Sequence, residues 1–289
     1  MKSTLDGLVE RGASEGETAY RLHRRFDRIG RLVGDAGMSR LFEAHVMVIG
    51  LGGVGSFAVE ALARSGIGRL TLVDFDRVCV TNSNRQLQAM ANTVARGKAE
   101  LLAERVRLIN PQIEARAVAQ FYGANTAAAL LGEGTDRPCW VVDAIDNVTA
   151  KCHLLSTCRA RGIPVVSSLG AAGRADPTRL VTCDLAETKV DPLADVVRRA
   201  LRQRYDFPRT GLFGISAVYS TEPPREPMAL TYDGADGFRC VCPGGTNDFH
   251  SCEERRVIYG TAAFVTGAFG LACAGVVVRG LTEKVTARG

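Results

Sequence analysis

Lysine is scarce in this sequence. Lys2, Lys98, Lys151, Lys189 and Lys284 are the only lysines among 36 basic residues, so 31 are arginine. Against the acidic residues this leaves a formal net charge of only +5 on 289 residues, too mild to name a nucleic acid or an acidic surface as partner. The arginine bias fits either a GC-rich genome or a phosphate-rich ligand, because guanidinium grips phosphate bidentately. Paired cysteines are missing too. The nine cysteines fall at 79, 139, 152, 158, 183, 240, 242, 252 and 273, and none forms a C-x-x-C pair. The usual zinc-ligand spacing is therefore absent, and the odd, scattered set does not read as a disulfide framework. No apolar stretch follows the first methionine, so no secretory signal is expected, and a reducing, cytoplasmic setting is the expectation. No internal repeat is present. Hydrophobic residues at 46% and charged residues at 23% are ordinary globular values and exclude disorder for the bulk of the chain.

What is present is a strand–helix alternation. Residues 1–17 are small and polar and are expected to form a loosely held tail. The spacing of Leu22, Phe26, Ile29, Leu32 and Val33 predicts a helix over 18–43, and the same segment carries Arg21, Arg24, Arg25, Arg28 and Arg31. From His45 onward, buried strands (VMVIG, LTLVDFD, EARAVAQF, WVVDAID, IPVVSSLG) alternate with helices (SFAVEALARSG, GKAELLAERVRLIN, ANTAAALL, TAKCHLLSTCRARG). That alternation implies an α/β fold, a doubly wound, Rossmann-like and mostly parallel sheet covered on both faces. One unit is expected over 18–280. Its core spans about 44–172, followed by a basic helix and an irregular C-terminal elaboration over about 176–259, in which RLVTCDL and GISAVYS read as short strands. An apolar helix closes it over about 260–280. That last run, 261–278, holds no charge and meets the length of a membrane span. Its richness in small residues favours a helix buried against the sheet.

Three constellations carry chemistry. Gly50, Gly52, Gly53 and Gly55 stand as G-x-G-G-x-G between a strand and a helix. Glycine lets the backbone turn tightly and approach a phosphate, and the helix start supplies free N–H groups. Asp74, at the end of the next strand, suits a ribose hydroxyl. This much fits a dinucleotide or ATP. DFDRVCVTNSNRQ then places Asp76, Asn82, Arg85 and Gln86 just beyond, and Lys98 opens the following helix. Converging cations suit a triphosphate and a leaving pyrophosphate, and they argue against a nicotinamide-dependent oxidoreductase. Third, Asp143 and Asp146 end the central strand WVVDAID, where a carboxylate can hold Mg²⁺. Asp146 or Asn147 could equally cap the helix that follows.

Taken together, GLGGVGS, DFD with N-x-x-R-Q, the helix lysine and D-x-x-D-N resemble the adenylation domain of the ubiquitin-activating-enzyme-like superfamily. This superfamily includes the bacterial activators of the molybdopterin and thiamine sulfur carriers. VCVTNSNRQ, SSLGAAGRADPTRL, DLAETKVDPLADVVRRALR and VYSTE are similar to its branch that dehydrates N6-threonylcarbamoyladenosine in tRNA. The resemblance implies a homodimeric, ATP- and Mg²⁺-dependent enzyme. ATP would be held by Gly50, Gly52, Gly53, Gly55, Asp74, Asp76, Asn82, Arg85, Lys98, Asp146 and Asn147, with Asp146, Arg85 and Lys98 catalytic and Asp146 at Mg²⁺. It also implies an arginine from the N-terminal helix, Arg28 or Arg31, reaching the partner's ATP. A sulfur-relay partner is a further expectation. In that branch a carboxylate on the tRNA is adenylated and a group of the same nucleoside displaces AMP, so no protein thiol need carry the acyl group. The alternative is activation of the C-terminus of a ubiquitin-like sulfur carrier. The carrier activators typically bear two zinc-binding C-x-x-C pairs, which this chain lacks.

Two further clusters stand outside that core. Arg198, Arg199, Arg202, Arg204 and Arg209 crowd the basic helix and its continuation and could share a face toward a tRNA backbone, or form an ordinary solvated surface. Cys240, Cys242, His250 and Cys252 could supply four zinc ligands at an uncommon C-x-C…H-x-C spacing, or lie in a loop as incidental thiols.

Overall fold

The structure, a computed structural model, describes residues 24–230 and 259–283. The tail 1–17 and the cluster of Cys240, Cys242, His250 and Cys252 lie outside the described residues. A 3₁₀ turn (Arg24–Phe26) leads into α1 (Asp27–Glu43). The sequence pattern predicts one continuous helix here. Instead α1 breaks at Gly34 (φ 72°, ψ 174°). The second half then turns Met38 and Leu41 fully into the core, while Leu32 in the first half stays exposed.

The remaining elements are β1 (His45–Ile49), α2 (Gly55–Arg64), β2 (Arg69–Val73), α3 (Lys98–Ile109), β3 (Glu114–Val118), α4 (Ala124–Leu131), β4 (Trp140–Asp143), α5 (Val148–Ala160), β5 (Val165–Ser168), β6 (Leu180–Asp184), α6 (Pro192–Arg204), β7 (Ser216–Ser220) and α7 (Ala263–Thr282). The seven strands form one sheet in the order β3-β2-β1-β4-β5-β7-β6. Neighbours are parallel except β6 and β7. This is the doubly wound α/β sheet expected from the sequence. The segment read as an irregular elaboration does more than decorate it. Its first part supplies β6, α6 and β7, and β7 sits inside the sheet with Ala217 and Val218 fully buried.

Strand β1 shows why the sheet reads as continuous apolar runs. Val46 and Val48 face one layer, Met47 and Ile49 the other, and both faces are covered. The first layer holds α1, α2, α3 and α7, the second α4, α5 and α6. Each fully buried Leu or Val side chain contributes roughly 1.5–3 kcal/mol. Helix α7 packs along α2, where Gly270 comes so close that a Cβ would stand 2.3 Å from Val54 O. Among the described residues α7 is the helix long and apolar enough to cross a membrane, yet half of that stretch is buried in the fold.

The chain leaves β1 for β2 on one side and reaches β4 on the other. That reversal opens a crevice at the carboxyl ends of β1 and β4, the place where open α/β sheets bind ligands.

Candidate active site

The crevice begins where β1 ends. Gly50 has φ +87°, and a Cβ there would stand 2.5 Å from Ala144 O in the loop after β4. Only glycine permits so tight a turn so near that loop. Val54, the N-cap of α2, offers no side-chain hydrogen bond; Ser56 N donates to Gly52 O (3.1 Å), and the positive end of the helix faces the turn. Thr266 of α7 backs the turn, its Oγ1 3.0 Å from where a Cβ on Gly53 would be.

Asp74 follows β2. Its carboxylate accepts from Leu51 N (2.7 Å) and Asp76 N (2.8 Å). Burial raises its pKa above the usual carboxylate range, against the Lys98 charge and those two donors. Lys98 opens α3 and donates to Asp76 Oδ2 at 2.8 Å. Burial works to lower the lysine pKa, but Asp74, Asp76 and Asp146 outweigh it and the pKa is raised. The ammonium therefore stays charged beside the crevice. Arg85 is half-buried and donates through Nη1 to Thr81 O (2.9 Å) and Asn84 Oδ1 (2.8 Å). Asn84 in turn donates to Thr261 O (2.8 Å), tying this loop to the start of α7. Asn82 is buried, and its Oδ1 accepts from Cys79 N (3.0 Å). That contact closes its own turn.

The loop after β4 separates roles the sequence left merged. Asn147 caps α5, accepting from Ala150 N at 3.0 Å, and Asp146 is exposed beside it. Asp143 is not open to a metal. It is fully buried and bound by Lys151 Nζ (2.6 Å) and Ser167 Oγ (2.6 Å), while its Oδ1 accepts from Ile145 N (3.1 Å). Lys151 is also fully buried, and it donates further to Ser168 O at 3.0 Å. A lysine on the apolar face of α5, in step with Leu154, Leu155 and Cys158, was the sequence signal for this pair. Beyond β5, the buried Arg174 donates to Ala172 O (2.9 Å) and Asp191 Oδ2 (3.2 Å). Asp191 caps α6 through Ala194 N and also holds Gly170 N. The loop after β5 is thereby fastened to α6.

The structure thus gathers Gly50, Gly52, Gly53, Gly55, Asp74, Asp76, Asn82, Arg85, Lys98 and Asp146 around one crevice. It does not bring Arg28 and Arg31 there. Both are exposed on α1, and Phe26 just before that helix packs on Gly66, beyond the far end of α2 from the glycine turn. The arginine cluster divides as well. Arg198 is drawn inward onto Thr188 and Asp195. Arg199, Arg202, Arg204 and Arg209 are exposed. Helix α6 stops at Arg204, so Arg209 lies on the following loop. Arg202 is fixed by stacking 5.1 Å over the Phe213 ring and donating to Pro208 O (3.3 Å).

A parallel sheet of this order, with a glycine turn, a carboxylate–lysine cluster and an exposed aspartate at its switch point, defines an α/β nucleotide-binding domain suited to phosphate chemistry. The chain belongs to the ThiF family, whose model matches residues 26–287. The tRNA threonylcarbamoyladenosine dehydratase of Haemophilus influenzae is 40% identical over 263 residues, spanning 90% of this chain and 94% of that relative. A crystal structure of the Escherichia coli tRNA N6-threonylcarbamoyladenosine dehydratase in complex with ATP matches with a TM-score of 0.78 at 36% identity, covering 93% of this chain and 98% of that one. The molybdopterin-synthase adenylyltransferase of Escherichia coli is 37% identical over 138 residues, only 48% of this chain and 53% of that relative.

Proposed function

We propose that this chain dehydrates N6-threonylcarbamoyladenosine in tRNA to its cyclic form, at the expense of ATP. The observation that carries this reading is the reach of the likeness. It spans nine-tenths of the chain with the dehydratase and about half the chain with the carrier-activating adenylyltransferase.

The residues suit the chemistry. The threonyl carboxylate attacks the α-phosphate of ATP, and pyrophosphate leaves. A group of the same nucleoside then attacks the acyl carbon and expels AMP, which keeps one carboxylate oxygen, so the nucleoside loses the elements of water. The glycine turn and the start of α2 take the phosphates, and Asp74 takes the ribose. Lys98 and Arg85 stabilise charge that grows on the phosphates as pyrophosphate departs. Asp146, exposed on the loop after β4, would hold Mg²⁺, which supplies further neutralisation across the phosphates. A homodimer would let Arg28 or Arg31 of one chain reach the crevice of the other.

The exposed Arg199, Arg202, Arg204 and Arg209 are the surface we assign to tRNA phosphates. Asp191 at the start of α6 touches Gly170 beside the crevice, and the helix then runs about 20 Å away from it at 1.5 Å per residue. Contacts there would hold the body of the tRNA and give salt dependence, not sequence choice. Changing Arg199, Arg202 and Arg204 to Glu should flatten the salt slope of tRNA binding, and an unchanged slope would refute the assignment.

The deciding experiment is to incubate the protein with ATP and modified tRNA and weigh the nucleosides. The expected result is loss of one water from threonylcarbamoyladenosine. Asp146→Ala should abolish this loss and ATP–pyrophosphate exchange with little change in melting temperature. No loss, with AMP transferred to a small carrier protein ending in Gly-Gly, would instead establish carrier activation.

A further inference from the structure

Gln86, which the sequence sets beside Arg85, and Gln88 both lie under the glycine turn. Gln86 and Gln88 are 7% and 2% exposed. The Gln88 amide stands 2.7 Å from Leu51 O and 3.3 Å from the Gln86 side chain. These contacts fix which way both amides face. A main-chain carbonyl can only accept, so the group of Gln88 that meets Leu51 O is its NH₂. The second hydrogen of that NH₂ needs an acceptor on Gln86, which is Oε1. The NH₂ of Gln86 must then face away from Gln88. It stands 3.8 Å from where a Cβ on Gly52 would be, and it has no acceptor among the described residues.

We infer that Gln88 is a positioning residue of the nucleotide site: by holding Leu51 O and Gln86 Oε1 together, it turns the Gln86 NH₂ toward the phosphate cradle at Gly52. Gln86 then adds a neutral donor to the charged set of Arg85 and Lys98, at the floor of the turn instead of its rim. Leu51 is held at both ends of its backbone, its N–H by Asp74 and its carbonyl by Gln88. The ribose carboxylate and the phosphate donor are thereby referenced to the same residue. Stability alone does not account for the arrangement. Gln88 Oε1 is buried without a donor among the described residues, which works against folding.

The inference rests on the reading of the crevice as an ATP site, and one calorimetric series separates the two. ATP with Mg²⁺, and separately adenosine, are titrated into the wild type, Gln88→Met, Gln86→Glu and the double variant. Gln86→Glu keeps an oxygen for Gln88 but replaces the outward donor with a carboxylate oxygen, so unchanged ATP affinity in it refutes the donor, and the uncharged Gln88→Met separates loss of the donor from charge repulsion. The wild type should bind ATP. Each single variant should weaken ATP roughly tenfold or more, as loss of a hydrogen bond to a charged group does, and leave adenosine affinity within about twofold. The double variant should be no weaker than Gln86→Glu alone, because Gln88 acts through Gln86. Unchanged ATP affinity in Gln88→Met, an equal loss of adenosine affinity, or losses that multiply in the double variant would each overturn the positioning role. If Gln88→Met does not fold, Gln86→Glu binding ATP as the wild type does would overturn it. A wild type that binds no ATP would remove the reading of the crevice itself, and this inference with it.

Discussion

Lys98–Asp76 and Lys151–Asp143 are the same chemical pair at nearly the same length, 2.8 and 2.6 Å. Both sit at the carboxyl side of the sheet, each joining a helix to the end of a strand or the loop after it. They differ in what surrounds them. The Lys151 and Asp143 side chains are 0% exposed, and Ser167, the Ser168 carbonyl and the Ile145 N–H take up the remaining hydrogen-bonding groups. Asp76 is 27% exposed, and Lys98 lies among three carboxylates beside the crevice. A closed pair braces the loop that carries Asp146. An open pair, with more acid than base around it, keeps a cation charged where phosphate charge would arrive. Lysine–aspartate proximity by itself therefore says nothing about role, and the state of the surrounding groups decides it.

The contrast breaks most visibly on removal of one partner. Lys151→Met leaves Asp143 buried and uncompensated and should cost about 3–5 kcal/mol of stability, read by urea denaturation. Adding Asp143→Leu should recover much of that loss, because an apolar pair of similar volume needs no compensation. A single variant that unfolds at the wild-type urea concentration would show that the pair is not a brace. Lys98→Met should do the reverse. Its loss of stability should be smaller than that of Lys151→Met, because Asp76 reaches solvent, while ATP–pyrophosphate exchange slows about 10²–10³-fold, or about 2.7–4 kcal/mol of barrier.

His45 sharpens the comparison as a buried base whose ring hydrogen bond goes to a hydroxyl. Its Nε2 meets Thr71 Oγ1 at 2.8 Å, and burial, helped by the Arg69 charge, lowers its pKa from 6.5 to about 4. Below pH 6.5 the unfolded chain takes up a proton that the folded chain refuses. Stability is therefore whole above 6.5 and falls as the pH drops toward 4, by at most about 3 kcal/mol. His45→Gln should lose less over that window than the wild type in parallel denaturant titrations. Matching pH profiles would show that the ring does not titrate as its surroundings imply.

The sequence made the layers and the glycine turn at their switch point legible because their signals are local. Continuous apolar runs marked β1 to β5 and period-3.6 patterns their helices, and the glycine turn and Asp74 stand at fixed offsets within one strand–helix–strand unit, with Lys98 opening the next helix. What escaped notice depends on pairing between distant segments. Asp143 reads like Asp146 until Lys151 and Ser167 arrive from α5 and β5. Asp146 and Asn147 were equal candidates for the cap until the backbone chose. Arg198 belongs to a basic helix by sequence and to the Thr188 turn by contact. The five residues of β7 carry too weak a pattern to announce an interior strand, because its place is set by neighbours on both sides. The Gln88–Leu51–Gln86 contacts need three side-chain directions that no spacing encodes.

Helix α7 gives the glycine turn a late dependence. Gly53 is made early in synthesis, but Thr266 and Gly270, which back it, come from the far side of the sheet in chain order. The contacts that back the turn join residues far apart in the chain, and the loop they close is long. The glycine turn is thus a whole-chain property despite its compact sequence motif, and a ribosome-bound chain that has reached β5 carries every residue of the motif without α7 behind it.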